Sequence, residues 1–81
     1  PVSKIKYSIP SLTLRQAQSD IRVTLIVYDL LGREVATLVN KEKPAGEYEV
    51  EFNGSALTSG IYFYQLKAGQ YSETRKMILI K

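Results

Sequence analysis

The segment Leu57-Thr58-Ser59-Gly60-Ile61-Tyr62-Phe63-Tyr64-Gln65-Leu66, followed after one Gly-centred turn by a run closing at Lys76-Met77-Ile78-Leu79-Ile80-Lys81, constrains this chain more than any other feature. β-branched and aromatic residues on both sides of Ala68-Gly69-Gln70 describe a β-hairpin gated by Gly60, because such residues fit a pleated surface and glycine supplies the turn backbone. The end of the sequence is therefore a structural element, a last strand from Tyr71 to Ile80, in place of a disordered tail. Its unbroken apolar run of Met77, Ile78, Leu79 and Ile80 predicts a strand end covered on both faces, or a bulge that switches faces.

Upstream, the same period of two recurs. Ile5, Tyr7 and Ile9 alternate with Lys4, Lys6 and Ser8, and Pro10 ends that strand because it has no N–H to give a ladder. Ser11 to Asp20 lacks a period and reads as a long connection with room for one added short strand. From Arg22 to Asp29, Val23, Leu25 and Val27 share a face that should be core, while Tyr28 lies opposite as the aromatic expected to be most exposed. Asp29-Leu30-Leu31-Gly32 is a turn, since Asp can bond the backbone ahead of it and Gly32 tolerates positive φ.

Glu34 to Asn40 returns as a third strand, and Asn40 to Gly46 is a polar surface loop ending in Pro and Gly. Glu47 to Phe52 alternates again, with Tyr48, Val50 and Phe52 inward and Glu47, Glu49 and Glu51 outward. Asn53-Gly54 turns, and Leu57 plugs the core from the loop that follows. Short strands at regular spacing with no helical period predict an all-β fold, an immunoglobulin-like antiparallel sandwich of about seven strands.

Length and composition then bound the function. Eighty-one residues with 44% hydrophobic and 23% charged content describe one small domain, which buries only about 60% of its unfolded surface and has little left for a deep pocket. Cysteine and histidine are both absent, which removes disulfides, thiolate metal sites, the commonest general base and the Ser-His and Cys-His nucleophile pairs. That argues against an enzyme and against a cofactor. The chain opens at Pro1 without an initiator Met, so it is expected to be a module of a longer protein.

Three constellations invite a functional reading and are better explained by structure. Glu47, Glu49 and Glu51 resemble a carboxylate pair for glycoside chemistry, yet alternate glutamates are the solvated face of a strand. Six tyrosines could form a sugar-stacking platform, with Tyr62 and Tyr64 on one face and Phe63 on the other, but aromatics also favour strands and fill cores. The net charge of +3 is spread thin; Lys4 with Lys6, and Arg75 with Lys76, are close basic pairs, too few for nucleic-acid binding.

Taken in order, Lys4-Ile5-Lys6-Tyr7-Ser8-Ile9-Pro10, Val27-Tyr28-Asp29-Leu30-Leu31-Gly32-Arg33-Glu34-Val35, Pro44-Ala45-Gly46-Glu47-Tyr48-Glu49-Val50, residues 57–66 and residues 76–81 resemble the type A C-terminal sorting domain of type IX secretion substrates from Bacteroidetes-like Gram-negative bacteria. Related immunoglobulin-like domains, including that of the flagellar hook-capping protein, share the Tyr-Asp-x-x-Gly-Arg turn, so the order of blocks carries the resemblance. The segment from Ser11 to Asp20 is longer than the family's connection at that place.

The resemblance implies an address without chemistry of its own. It would be read by the outer-membrane translocon after Sec export of an N-terminal cargo in cis, with no nucleic acid and no membrane span. A sortase-like peptidase would cut upstream of Pro1, and cargo of this kind is commonly joined to anionic lipopolysaccharide at the cell surface. Gly60, Tyr62, Tyr64, Lys76 and Lys81 are the residues it points to for translocon recognition, and Asp29, Gly32, Arg33, Pro44, Gly46 and Tyr48 for the structural motifs. The competing expectation is a retained adhesion, spacer or carbohydrate-binding module of a secreted surface protein.

Overall fold

The computed structural model describes residues 2–10 and 21–80; the expected long connection at 11–20, and Lys81, lie outside them. Six strands occur among the described residues: β1 (Val2–Ile9), β2 (Ile21–Tyr28), β3 (Glu34–Lys43), β4 (Gly46–Asn53), β5 (Gly60–Ala68) and β6 (Tyr71–Leu79). They form two antiparallel sheets, β1-β4 and β3-β2-β5-β6. Apolar residues at every second position explain the layering, because a half-buried strand must hide one face and the two sheets hide theirs against each other.

The core is the set of inward residues that the alternation predicts. Ile5, Tyr7 and Ile9 of β1 and Phe52 of β4 are buried, as are Val23, Leu25, Val27, Val39, Tyr62, Leu66, Ala68 and Leu79 of the larger sheet. Leu25 sits at its centre, opposite Val39 on β3 and Leu66 on β5, and is fully buried. Leu57, from the loop before β5, packs against this cluster. Tyr7 and Tyr48 stack at 5.5 Å between ring centres within the smaller sheet.

Two local expectations are corrected. First, β3 runs on to Lys43, three residues past its expected end at Asn40. Its polar end is held by the ladder to β2, where Arg22 stands opposite Glu42 and its guanidinium reaches the backbone carbonyl and side-chain oxygen of Asn40 at 3.4 Å. Backbone pairing here extends a strand that hydrophobicity would have ended.

Second, the apolar end of β6 is neither covered on both faces nor bulged. Its register with β5 is unbroken from Ala68↔Tyr71 to Gly60↔Leu79, so alternation continues. Leu79 points inward and is 3% exposed, while Ile78 and Ile80 remain 61% and 78% exposed. Leu79 closes tightly on the neighbouring turn, and a Cβ added at Gly54 would lie 2.9 Å from both of its terminal methyls.

Candidate functional site

The resembling motifs do their work as turns and corners. In the β2–β3 connection, one Asp29 carboxylate oxygen accepts from the backbone N–H of Leu31 at 2.9 Å and of Arg33 at 3.0 Å. The other accepts from Arg33 Nε at 2.8 Å. Asp29 also uses its main chain, donating to the Arg33 carbonyl and accepting from Gly32, both at 3.0 Å, and Gly32 takes φ +83°. The backbone bond from Arg33, with the guanidinium and the Leu31 N–H, holds the Asp29 carboxyl below its ordinary value of 3.8 despite the desolvation that opposes it.

A pH dependence follows from that depression. The folded carboxyl titrates below the unfolded one, so its contribution is complete above pH 3.8 and is lost as the pH falls through the depressed value. Asp29→Ala is therefore expected to melt below the parent protein at neutral pH, with the gap closing in strong acid. Parallel thermal melts across pH check this; a gap that persists in acid would remove the carboxylate from the explanation.

The Pro-x-Gly-x-Tyr and Leu-x-x-Gly-x-Tyr motifs turn out to be the same device used twice. The Tyr48 hydroxyl donates to the Pro44 carbonyl at 2.6 Å, and the Tyr62 hydroxyl donates to the Thr58 carbonyl at 2.7 Å. In each case the acceptor lies four residues upstream, and a glycine two residues upstream takes a positive φ, +154° at Gly46 and +157° at Gly60. A side chain rarely adopts that backbone, and the tyrosine then ties the entering chain to its strand as a tyrosine corner does. Lys43 adds a cation over the Tyr48 ring, 4.3 Å from its centre.

Removing only the hydroxyl should be felt. Tyr62→Phe leaves the ring in the core but orphans the Thr58 carbonyl, costing about 1 kcal/mol, which in a domain of this size lowers Tm by about 4–8 °C. Calorimetry on the single variant checks it, and an unchanged Tm would make the corner ornamental.

The carboxylate row is accounted for by its neighbours. On β1, Lys4 stands opposite Glu51, Lys6 opposite Glu49 and Ser8 opposite Glu47. Opposite charges facing across a pair contribute a few tenths of a kcal/mol, so Lys4 and Lys6 stand among glutamates on a mixed-charge face. Among the described residues, no three His, Cys, Asp or Glu side chains gather as a metal site. Tyr7 and Tyr62 are buried, and Tyr28, Tyr48, Tyr64 and Tyr71 are half-buried.

The residues singled out for recognition fall into two groups. Gly60 and Tyr62 are scaffold: one starts β5 opposite Leu79, the other is 6% exposed. Tyr64 is half-buried and faces inward, lining an open groove of about 610 Å³ between the sheets with Tyr7, Tyr48 and Tyr71. Arg75 closes that groove and is held by Glu73 at 3.0 Å; Glu73, then Tyr64 and Tyr71, raise its pKa further. Lys76 points the other way, exposed on the outer face of the larger sheet opposite Phe63.

That outer face carries what periodicity alone missed. Tyr28 and Phe63 are cross-strand neighbours there, and Ile61 pairs with Ile78. Tyr28 is half-buried beside Phe63, and both line a shallow groove of about 320 Å³ with Leu30 and Thr74. The signal was present in the sequence: β2 and β5 carry apolar residues at both alternations, Ile26 and Tyr28 as well as Val27, Ile61 and Phe63 as well as Tyr62. No helix among the described residues is long and apolar enough to cross a membrane.

The fold is that of a small antiparallel β-sandwich domain with an exposed apolar strand side at the closing hairpin. A family model described as a secretion system C-terminal sorting domain matches residues 5–81, so the chain belongs to that family. It is a sorting signal for type IX secretion, which ties it to that machinery and to a cargo in cis, and it is part of a secreted or cell-surface protein. No curated protein and no solved structure matches the chain.

Proposed function

We propose that the type IX machinery reads this domain at the closing β5–β6 hairpin, with Lys76 as the charged mark on its outward side and Lys81 as a second one in the sequence. The observation that supports this is the anchoring of β6: Leu79 is 3% exposed and the register is unbroken to it, so Lys76 and Ile78 occupy fixed positions. A large receptor gains affinity from a preorganised surface because less ordering entropy is lost on binding. Gly60, Tyr62 and Tyr64 serve recognition by holding the hairpin from inside.

In this reading the chain is one non-catalytic domain at the C-terminal end of a larger protein. Its cargo lies on the N-terminal side and reaches the outer membrane through the periplasm. A sortase-like peptidase then cuts ahead of the domain, and the cargo stays on the surface or is released. The test appends residues 1–81 to a Sec-exported reporter in cells with a working type IX system. The reporter is expected outside the cell with a mature C-terminus upstream of Pro1 by mass spectrometry; a surface product that still ends at Lys81 would identify a retained module instead.

A further inference from the structure

The two edges of the larger sheet are protected very differently. Exposed edges invite pairing with another chain, and proteins blunt them with charges, prolines and bulges. At one edge, β3 carries Glu34, Lys41, Glu42 and Lys43, and its pairing with β2 breaks register twice. At the other, β6 is guarded by Glu73, Arg75 and Lys76, and among the described residues after them carries no further guard. Met77, Ile78, Leu79 and Ile80 bring no charge and no proline, and the register with β5 has no bulge.

The same end is apolar on its outer side. Ile78 and Ile80 are 61% and 78% exposed, with Leu30 at 64% on the neighbouring turn. On the outer face of β5 and β6 the charged residues are Lys67 and Lys76, both cationic; the nearest β6 carboxylate, Glu73, faces inward and is held by Arg75. A second copy pairing β6 to β6 would bring cations without a free carboxylate to meet them, and its β3 edge, though it carries Glu34 and Glu42, breaks register twice with β2 and offers no regular ladder, so self-association does not suit the pattern.

We infer that this edge is completed by a different chain: an extended apolar segment bearing a carboxylate, which adds a strand alongside residues 77–80, covers Ile78 and Ile80, and sets its carboxylate against Lys76. Main-chain hydrogen bonds supply affinity in such strand addition, and the alternate side chains supply specificity. The inference rests on the reading that the closing hairpin is what the machinery recognises, and names the chemistry of what meets it.

The test titrates the ¹⁵N-labelled 81-residue chain with an acetylated peptide of alternating Val and Thr around a central Glu, and with the same peptide carrying Lys in that place. Amide shifts are expected at residues 76–80, with the Glu peptide at least about fivefold tighter, in keeping with one charge-assisted contact. Ile80→Lys should abolish them and leave the rest of the spectrum unchanged, since Ile80 is exposed. Shifts on β3, equal binding of both peptides, no binding at millimolar peptide, or self-association abolished by Ile80→Lys would each overturn the inference.

In the reporter assay, Ile78→Lys and Ile80→Lys should cut export at least about tenfold, the size of one interface hot spot, while Ile78→Val and Ile80→Val preserve it. If removal of residues 76–81 stops export and neither lysine variant does, the closing-hairpin reading survives and strand addition at this edge fails. If the removal itself changes nothing, both fail.

Discussion

Removing residues 76–81 will stop export of a fused cargo. It removes the outward Lys76 and Ile78 together with the inward Leu79, so two effects must be separated. Loss of Leu79, buried against Gly54, has the character of a large-to-small core change and costs about 2–5 kcal/mol. Against a total stability of about 4–12 kcal/mol for a domain this size, that alone threatens folding. Leu79→Ala, which keeps the outward side, isolates the stability term: its export should recover at lowered growth temperature, whereas the truncated form should stay inside the cell at any temperature. Equal recovery of both would mean that the machinery reads a surface elsewhere.

Leu25→Ala should give the largest loss of stability for a single substitution. Leu25 is fully buried between its neighbours on β3 and β5 and faces the smaller sheet. Its removal forfeits the transfer energy and opens a cavity that strand backbones cannot easily collapse, a combined cost of about 3–4 kcal/mol. Translated at the slope for small domains, Tm falls by about 12–32 °C. Ile26→Ala, on the outer face of the same strand, should cost far less, because Ile26 is only half-buried. Melts of the two variants side by side check the assignment of faces; similar losses would mean that the outer face is as tightly packed as the core.

The layering was legible wherever a strand has one wet side. Ile5, Tyr7 and Ile9 against Lys4, Lys6 and Ser8, or Tyr48, Val50 and Phe52 against three glutamates, leave only one way to face the core, and the structure follows it. Legibility failed where backbone pairing, rather than side-chain chemistry, decides. The polar end of β3 is strand because β2 stands beside it with a free ladder, which no local pattern at residues 40–43 reveals. The expectation of about seven strands meets six among the described residues, and the connection at 11–20 lies outside them.

The closing strand shows the same limit from the other side. An apolar run usually reports burial on both faces, yet Ile78 and Ile80 are exposed. Periodicity assigns faces relative to one another but says nothing of whether a second layer covers the outer one; that is settled by β6 lying at the sheet edge with no third sheet above it among the described residues. The turn motifs were recognisable as motifs, but their reason was not. That Tyr48 and Tyr62 each reach back to a carbonyl four residues upstream becomes visible only when the two corners are compared in three dimensions.

Native-state hydrogen exchange of the 81-residue chain bears most directly on the claim that its last strand is built into the sandwich and held there for a receptor. Backbone bonds in a cooperative unit open only with global unfolding, while frayed ends exchange through local opening. Amides of β6 that bond to β5 are expected to match the protection of Leu25 and Leu66, including those in residues 77–79. Free exchange in 77–79 beside a protected Leu25 would show a loose tail, and the address would have to be read elsewhere.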